Sequence, residues 1–69
     1  MIKGIYIATN NFEIISDNGL VKFEKFRTYK IMFPYKHYQT SRVTDIDDNY
    51  MCWISIDKIE QNFKLFLKL

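Results

Sequence analysis

The fold is decided by residues 12–23, which read Phe12-Glu13-Ile14-Ile15-Ser16-Asp17-Asn18-Gly19-Leu20-Val21-Lys22-Phe23. The Asn-Gly pair within this stretch is the dipeptide that best tolerates positive φ at both central positions of a tight turn. Because such a turn matches the twist of paired strands, the stretch predicts a β-hairpin with strands at 12–16 and 20–23.

Residues 42–56 predict a second hairpin. The cluster Asp47-Asp48-Asn49 separates two segments, 42–46 and 50–56, that are rich in β-branched and aromatic residues. Asp and Asn side chains hydrogen-bond to their own backbone and favour turns, whereas the flanking residue types favour strands. Turn chemistry also explains these acids, together with Asp45, better than a cation site does, because the spacing of a calcium loop is missing.

Two more strands are predicted from the remaining sequence. Residues 28–33 alternate between apolar and polar, which is the period-two pattern of a half-buried strand. Pro34 cannot donate to a strand ladder and is expected to end this strand, leaving an exposed loop at 35–40. With an opening strand around residues 5–7, the chain has five or six short strands, and we expect a mainly β fold, a small antiparallel barrel.

The C-terminal segment allows two interpretations. Residues 56–67 place apolar side chains at helical spacing, and Ser55 can cap a helix begun by Asp57. Residues 63–69, however, also alternate as a strand does. The favoured interpretation is one helical turn at 57–62 followed by a closing strand, and the alternative is a continuous helix docked across an open sheet.

Composition bounds the class of protein. The chain has 69 residues, of which 48% are hydrophobic and 17% aromatic; this fits one domain and is too apolar for intrinsic disorder. Cys52 is the only cysteine and lies in an apolar run, so we expect a buried thiol and a cytoplasmic protein without disulfides. No apolar run approaches the roughly 20 residues of a membrane helix, so no membrane partner is expected.

No catalytic constellation is apparent in the sequence. His37 and Cys52 are the only residues of their types and lie on different segments, whereas a Cys–His couple needs both within hydrogen-bond reach. The chain has two glycines, which are too few for a glycine-rich phosphate loop. We therefore expect no catalytic site, no metal and no cofactor.

A basic stretch is the first candidate site. Lys22, Lys25, Arg27 and Lys30 lie in a segment with a single acid, Glu24, and would meet the phosphates of a single-stranded nucleic acid. The net charge of +2 is too small to identify a nucleic-acid-binding protein by itself. The alternative is that these cations form a solvated face over a core of Phe23, Phe26, Tyr29, Ile31 and Phe33.

The loop that carries Tyr35, Lys36, His37 and Tyr38 is the second candidate site. Tyrosine is enriched at protein interfaces because it brings a large contact area with few rotatable bonds and one polar group. If the strand aromatics fill the core, these rings are left at the surface and mark a partner-binding site. The alternative is that they cap the open end of the barrel.

Short motifs between residues 20 and 60 follow a familiar order. A central strand at 26–31 precedes a turn at 47–50, an aromatic strand at 53–54 and a short turn at 55–60. In this order the chain resembles the small SH3-like barrel proteins of phages and low-GC bacteria. It departs from their pattern where Lys25-Phe26-Arg27 replaces the glycine expected before the central strand. The motifs of proline-peptide-binding SH3 domains are absent, so that activity is not implied.

The resemblance implies an SH3-like barrel and a non-catalytic, phage-encoded protein. Such a protein docks on a host or defence protein in the host cytoplasm and modulates or inhibits it. Residue usage rich in Ile, Lys, Asn, Phe and Tyr is typical of AT-rich coding and agrees with this origin. The alternatives are a small barrel that binds single-stranded nucleic acid and a structural or self-assembling phage protein.

Overall fold

A computed structural model of the protein describes residues 3–16, 18–35 and 39–69, of which residues 33–35 are described for the backbone alone. Within these ranges the chain forms seven strands and one helix. In chain order they are β1 (Gly4–Ala8), β2 (Phe12–Ser16), β3 (Gly19–Phe23), β4 (Thr28–Tyr35), β5 (Thr40–Thr44), β6 (Tyr50–Ser55), α1 (Ile56–Asn62) and β7 (Phe63–Lys68).

The strands form two antiparallel sheets. Five strands pair in the order β6-β5-β4-β1-β7, so that β1 lies between β4 and β7. Strands β2 and β3 pair with each other as a separate two-stranded sheet. Helix α1 connects β6 to β7 and thereby brings the last strand back to the first. The expectation of a mainly β, antiparallel fold with one short helix is confirmed, whereas the described residues form seven strands in place of the five or six predicted.

Both predicted hairpins are present. In the first, Phe12 pairs with Phe23 and Ser16 with Gly19, which begins β3. The prediction of positive φ at both Asn18 and Gly19 is right for Gly19 alone (114°), because Gly19 lies in the strand and not at a central position of the turn. The hydroxyl of Ser16 donates to the Gly19 carbonyl at 3.0 Å and accepts from the Asn18 amide at 3.3 Å, which closes the turn. The second hairpin joins β5 to β6, and its first strand runs over Thr40–Thr44 rather than the predicted 42–46 because Asp45 already belongs to the turn.

The prediction that Pro34 ends the central strand is wrong. Strand β4 continues to Tyr35, and Pro34 pairs with Ser41 of β5. The register shifts between Ile31 and Pro34, and proline is tolerated in strands at such irregularities because the ladder is already interrupted there.

The favoured interpretation of the C-terminal segment is confirmed. The Ser55 hydroxyl accepts a hydrogen bond from the Lys58 amide at 3.3 Å and so caps the start of α1. Phe63 returns to an extended backbone (φ −133°), and its amide still donates to the Ile59 carbonyl. The chain therefore passes directly from helix into β7, with Phe63 turned into the core.

The core lies between the two sheets and is built around an aromatic cluster. Phe12 stacks on Phe23 with ring centroids 4.7 Å apart, and Phe63 meets both rings edge-on at 5.4 and 5.5 Å. Tyr29 stands edge-on to Phe23 at 5.0 Å. The hairpin is thus fastened to the five-stranded sheet by ring packing. The buried hydrophobic residues are Tyr6, Ala8, Phe23, Tyr29, Ile31, Val43, Cys52, Ile54, Ile59 and Phe63.

The predicted core is right at three positions and wrong at one, and the side chain of Phe33 lies outside the described part of the structure. Phe23, Tyr29 and Ile31 are buried, and Cys52 is fully buried as expected. Phe26, in contrast, is 73% exposed. It lies in the turn between β3 and β4, outside both strands, so the alternation that predicts an inward side chain does not apply to it.

Candidate functional site

The predicted partner-binding loop lies mostly outside the described residues. The structure does not describe Lys36, His37 and Tyr38, which lie between the described ranges 18–35 and 39–69. Tyr35 is described only as the last backbone position of β4. The Gln39 carbonyl accepts a hydrogen bond of 2.9 Å from the Ile56 amide, which places the end of the loop beside the start of α1. The assignment of this loop as a binding site stays a prediction.

Two cations of the basic stretch are paired with carboxylates. The ammonium of Lys30 lies 2.7 Å from Asp48 Oδ1, and the Lys30 side chain is only 22% exposed. The Nε of Arg27 lies 3.2 Å from Glu24 Oε2. Glu24 engages only the Nε of Arg27, in a pair that is largely exposed, whereas the half-buried Lys30 is held against Asp48. A phosphate at Lys30 would therefore lie beside a carboxylate.

The other two cations stand on different features of the molecule. Lys22 is exposed on β3, directly across from Glu13 of β2. Lys25 lies in the β3–β4 turn with its ammonium 5.0 Å from the centroid of the Phe26 ring. The four residues that sequence reasoning grouped together therefore do not form one field of unpaired positive charge.

Phe26 is the residue that the sequence analysis misplaced, and its backbone is unusual. The Arg27 amide donates to the Glu24 carbonyl at 3.1 Å and closes a four-residue turn. Among the central residues φ is positive at Phe26 (72°) and not at Lys25, which is the pattern of a type II turn. That third position favours glycine, and positive φ in a bulky residue is a genuine outlier. The missing glycine at Lys25-Phe26-Arg27 was the sequence signal that marks this site.

The turn that carries Phe26 is held from two sides. The Phe26 amide donates to the Ala8 carbonyl at 2.8 Å, and the Ala8 amide donates to the Arg27 carbonyl at 2.9 Å. The Asn11 side-chain oxygen accepts from the Lys25 amide at 2.7 Å. These bonds join the turn to the end of β1 and to the segment after it, so the exposed ring stands on a fixed backbone.

The loop between β5 and β6 faces the same region. Asp45 organises it, since its carboxylate accepts bonds from the amides of Asp47 and Asn49 and from the Asn49 side chain at 2.9 to 3.0 Å. These bonds, first of all that from the Asn49 side chain, hold the pKa of the Asp45 carboxyl below its ordinary value. Ile46 is 44% exposed at the tip of this loop.

An open cleft of about 410 Å³ lies between the β3–β4 turn and the β5–β6 loop. It combines two large apolar side chains with the carboxylates of the loop, and we call it the Phe26 surface. The cleft thus brings together hydrophobic area, two carboxylates and the guanidinium of Arg27. The lining residues are Phe26, Arg27, Thr28, Tyr29, Asp45, Ile46 and Asp47.

Groups that would support catalysis are not brought together in the described part of the chain. Burial raises the pKa of the Cys52 thiol to about 11, so it is protonated at neutral pH and is a poor nucleophile. Residues 3–16, 18–35 and 39–69 contain no cluster of three His, Cys, Asp or Glu side chains placed to hold a metal ion. No helix in these ranges is long and apolar enough to cross a membrane.

Three other places expose large apolar side chains, one of them on β6, where Tyr50 and Trp53 are 43% and 44% exposed. Ile15 and Leu20, which are cross-strand partners near the tip of the β2–β3 hairpin, are 86% and 55% exposed. Strand β7 lies at an edge of the five-stranded sheet, and Phe66 on it is 67% exposed. At these three places, no described residue other than glycine has positive φ, and the exposed apolar side chains do not line a cleft. A second open cleft, of about 380 Å³, lies at the opposite end of the β2–β3 hairpin beside Phe12 and Phe23.

Comparison of the chain with protein-family models, curated proteins and solved structures finds no match. A functional assignment therefore depends on the chemistry of the chain's own surface. Among the described residues, the Phe26 surface combines an exposed aromatic ring, an aliphatic side chain, two carboxylates and the guanidinium of Arg27.

Proposed function

We propose that this chain is a small non-catalytic binding protein that docks on another protein. The observation that carries the proposal is Phe26, a large aromatic side chain that is 73% exposed on a firmly hydrogen-bonded turn. Aromatic side chains on rigid backbone are the usual anchors of protein interfaces, because little conformational entropy is lost when they are buried.

An SH3-like barrel is the architecture that we propose for this function. The order of the elements supports this proposal. The opening strand β1 is followed by the separate β2–β3 hairpin and then by β4, β5 and β6, which pair consecutively. One short helix then leads to the closing strand β7, which pairs with β1. The aromatic cluster between the hairpin and the sheet is consistent with a closed interior. Fold alone does not determine function, so the proposal for binding does not depend on it.

The pairing of the basic residues favours a protein partner over a nucleic acid. Single-stranded nucleic acids are bound by grooves of unpaired cations with aromatic rings on which bases stack. Here Lys30 and Arg27 are paired with Asp48 and Glu24, and Asp45 and Asp47 line the cleft beside Phe26. Phosphates would meet carboxylates at this surface.

Within this binding function, we propose more specifically that the chain is phage-encoded and that it modulates or inhibits a host or defence protein. A chain of this size acts on a larger protein by covering a surface or by holding one of its states. The second mode requires a higher affinity for that state than for the others.

The proposal is tested by selecting binders and titrating nucleic acids in parallel. The immobilised protein is used to select from a displayed library of protein fragments from low-GC bacterial genomes, and labelled single- and double-stranded oligonucleotides are titrated at about 50 mM and about 200 mM salt. We expect fragments that bind with micromolar or tighter Kd and no oligonucleotide binding at the lower salt. Oligonucleotide affinity that collapses with salt, with no fragment retained, contradicts the proposal.

Two controls separate the remaining hypotheses. A Tyr35→Ala/Tyr38→Ala double variant measures how much the predicted loop contributes to the binding of each selected fragment. Light scattering of the purified protein reports self-assembly, and a stable oligomer that retains no fragment would favour a structural role.

A further inference from the structure

We propose that the Phe26 surface binds a partner segment in which a large apolar side chain lies beside a lysine or arginine. This inference rests on the proposed protein-binding function and specifies its site and the chemistry of its partner. The apolar side chain of the partner fills the cleft between Phe26 and Ile46, and the cation meets the carboxylate of Asp47.

The packing of the fold requires neither the positive φ of Phe26 nor its exposed aromatic ring. Its φ of 72° costs energy for any residue with a Cβ, and a glycine would occupy the position without strain. Its ring is exposed and contributes little to the core. Strained residues that packing does not require cluster at binding sites, where the strain holds a side chain in the orientation that the ligand needs.

The two walls of the cleft, which are the β3–β4 turn and the β5–β6 loop, are held in place by hydrogen bonds before any partner binds. Backbone bonds to Ala8 hold the Phe26 turn, and the Asp45 carboxylate holds the β5–β6 loop through Asp47 and Asn49. The floor is formed by the first residues of β4, which belong to the five-stranded sheet. Preorganised walls lower the entropic cost of association, which makes even a short segment a suitable ligand.

The carboxylates around the cleft differ in whether they are already paired with a cation. Glu24 and Asp48 are occupied by Arg27 and Lys30, respectively. Asp45 and Asp47, in contrast, make no ion pair with any residue of the described ranges. The Asp45 carboxylate already accepts three hydrogen bonds within its loop, so the exposed Asp47 is the carboxylate at the cleft that is left for a partner, on a chain whose net charge is +2. A cationic partner complements it, and complementarity of this kind sets the specificity and the rate of encounter.

The volume of the cleft limits how large a group of the partner can enter it. A cleft of about 410 Å³ lies near the lower end of the range of small-ligand pockets. It therefore suits one large side chain and its neighbours rather than a folded element. The ammonium of Lys25 lies 5.0 Å from the centroid of the Phe26 ring but does not line the cleft, so the part of the ring that faces the cleft is left for the apolar group of the partner.

Three short synthetic peptides test the inference on the intact protein. Each is a Gly/Ser chain: one has a central tryptophan flanked by lysines, the second has glutamates in place of the lysines, and the third has serine in place of the tryptophan. They are titrated into isotopically labelled protein while amide chemical shifts are followed. We expect the lysine–tryptophan peptide alone to shift the amides of residues 25–28 and 45–49.

Three variants locate the site. Phe26→Ala should weaken the binding of the lysine–tryptophan peptide about tenfold or more, as truncation of an interface anchor does. Phe66→Ala is the matched control, since it removes a ring of similar exposure (67%) from β7 and should leave binding unchanged. Asp47→Asn should weaken binding severalfold and reduce its dependence on salt. The amide spectra of the free variants show that each remains folded.

Several outcomes overturn the inference. They are the absence of any shift with the lysine–tryptophan peptide, equal shifts with the glutamate peptide, and shifts concentrated at β7. Failure of the site and failure of the proposed function are distinguishable. Selected protein fragments that bind Phe26→Ala as tightly as the wild type refute the site and leave the binding function intact, whereas the absence of any fragment refutes the function.

Discussion

The hydroxyl of Tyr29 accepts a hydrogen bond of 3.0 Å from the backbone amide of Glu24. Tyr29 is 5% exposed, and its ring stands edge-on to Phe23 in the core. Glu24 is the first residue of the turn that carries Phe26. One buried side chain thus connects the aromatic cluster to the base of the Phe26 surface.

Tyr29→Phe should lower the free energy of unfolding by about 1 kcal/mol, because the ring is kept while the Glu24 amide loses its partner. Urea denaturation with an unchanged slope measures the effect. Tyr50→Phe, at a position that is 43% exposed, is the control and should change stability by less than about 0.5 kcal/mol. Equal losses in the two variants would contradict the role assigned to the Tyr29 hydroxyl.

Gly4→Ala should destabilise the β1–β7 pairing. A Cβ at Gly4 would lie 2.6 Å from the Leu67 carbonyl oxygen and 2.8 Å from Leu65 Cδ1, and the carbonyl belongs to backbone that cannot move independently. We expect a loss of about 1 to 3 kcal/mol in the free energy of unfolding, together with altered amide shifts in β7.

Gly19→Ala is the comparison for this prediction. A Cβ there meets nothing within 4 Å, so any loss comes from its φ of 114° alone. The amide shifts of β7 should then stay unchanged. Undisturbed β7 shifts in Gly4→Ala would show that the close approach is not required.

Phe26→Gly should raise the free energy of unfolding by about 1 kcal/mol, because glycine adopts positive φ without strain. Chemical denaturation measures the gain. Phe26→Ala retains the unfavourable φ and is the control, so it should not show the same gain. A more stable glycine variant that no longer binds the lysine–tryptophan peptide would mean that stability is sacrificed at this position for recognition. A loss of stability in Phe26→Gly would contradict the assignment of strain.

Cys52 should make stability fall in alkaline solution. Burial raises its pKa from 9.0 to about 11, so the thiol ionises first in the unfolded chain as the pH rises. Its contribution is intact below pH 9 and is lost as the pH rises through 11, by up to roughly 3 kcal/mol. Urea unfolding of the wild type and Cys52→Ala over this range isolates the effect, and parallel pH profiles would refute it.

Asp45 should contribute stability that is lost in acid. Hydrogen bonds from Asn49 lower its pKa below 3.8, so the unfolded chain takes up this proton first as the pH falls. Asp45→Ala should be less stable than the wild type at neutral pH, and the difference should shrink as the pH falls below 3.8 through the folded pKa. Asp47→Ala, which keeps the backbone donor to Asp45, is the control and should show neither effect.

The parts of the fold that could be predicted from sequence are those set by local chemistry. The first hairpin turn depends on the positive φ of Gly19 and on the Ser16 hydroxyl, and the second on the Asp45 carboxylate, all of which short-range sequence encodes. Ser55 caps α1 for the same reason. The prediction that Pro34 ends its strand is wrong because proline is tolerated there through a register shift against β5, and the residue types of the two strands do not encode that shift.

The candidate site was less predictable than the fold. Phe26 looks like a core residue by type, and its exposure follows from the handedness of one turn and from bonds to Ala8. Ile46 lies in another loop, and only the packing of the sheet brings the two loops to one cleft. The turn chemistry of Asp45 was predicted, whereas its place opposite Phe26 requires the tertiary structure. The loop with Tyr35 and Tyr38 remains a prediction.

The position of β1 between β4 and β7 has a consequence during synthesis on the ribosome. The partner on one side of β1, strand β7, begins about 55 residues after β1 ends. Until β7 emerges, the nascent chain carries an unpaired backbone edge along Ile5, Tyr6 and Ile7, which chaperones or neighbouring nascent chains can reach. The complete sheet therefore forms only after translation of β7, and long-range closure of this kind slows folding.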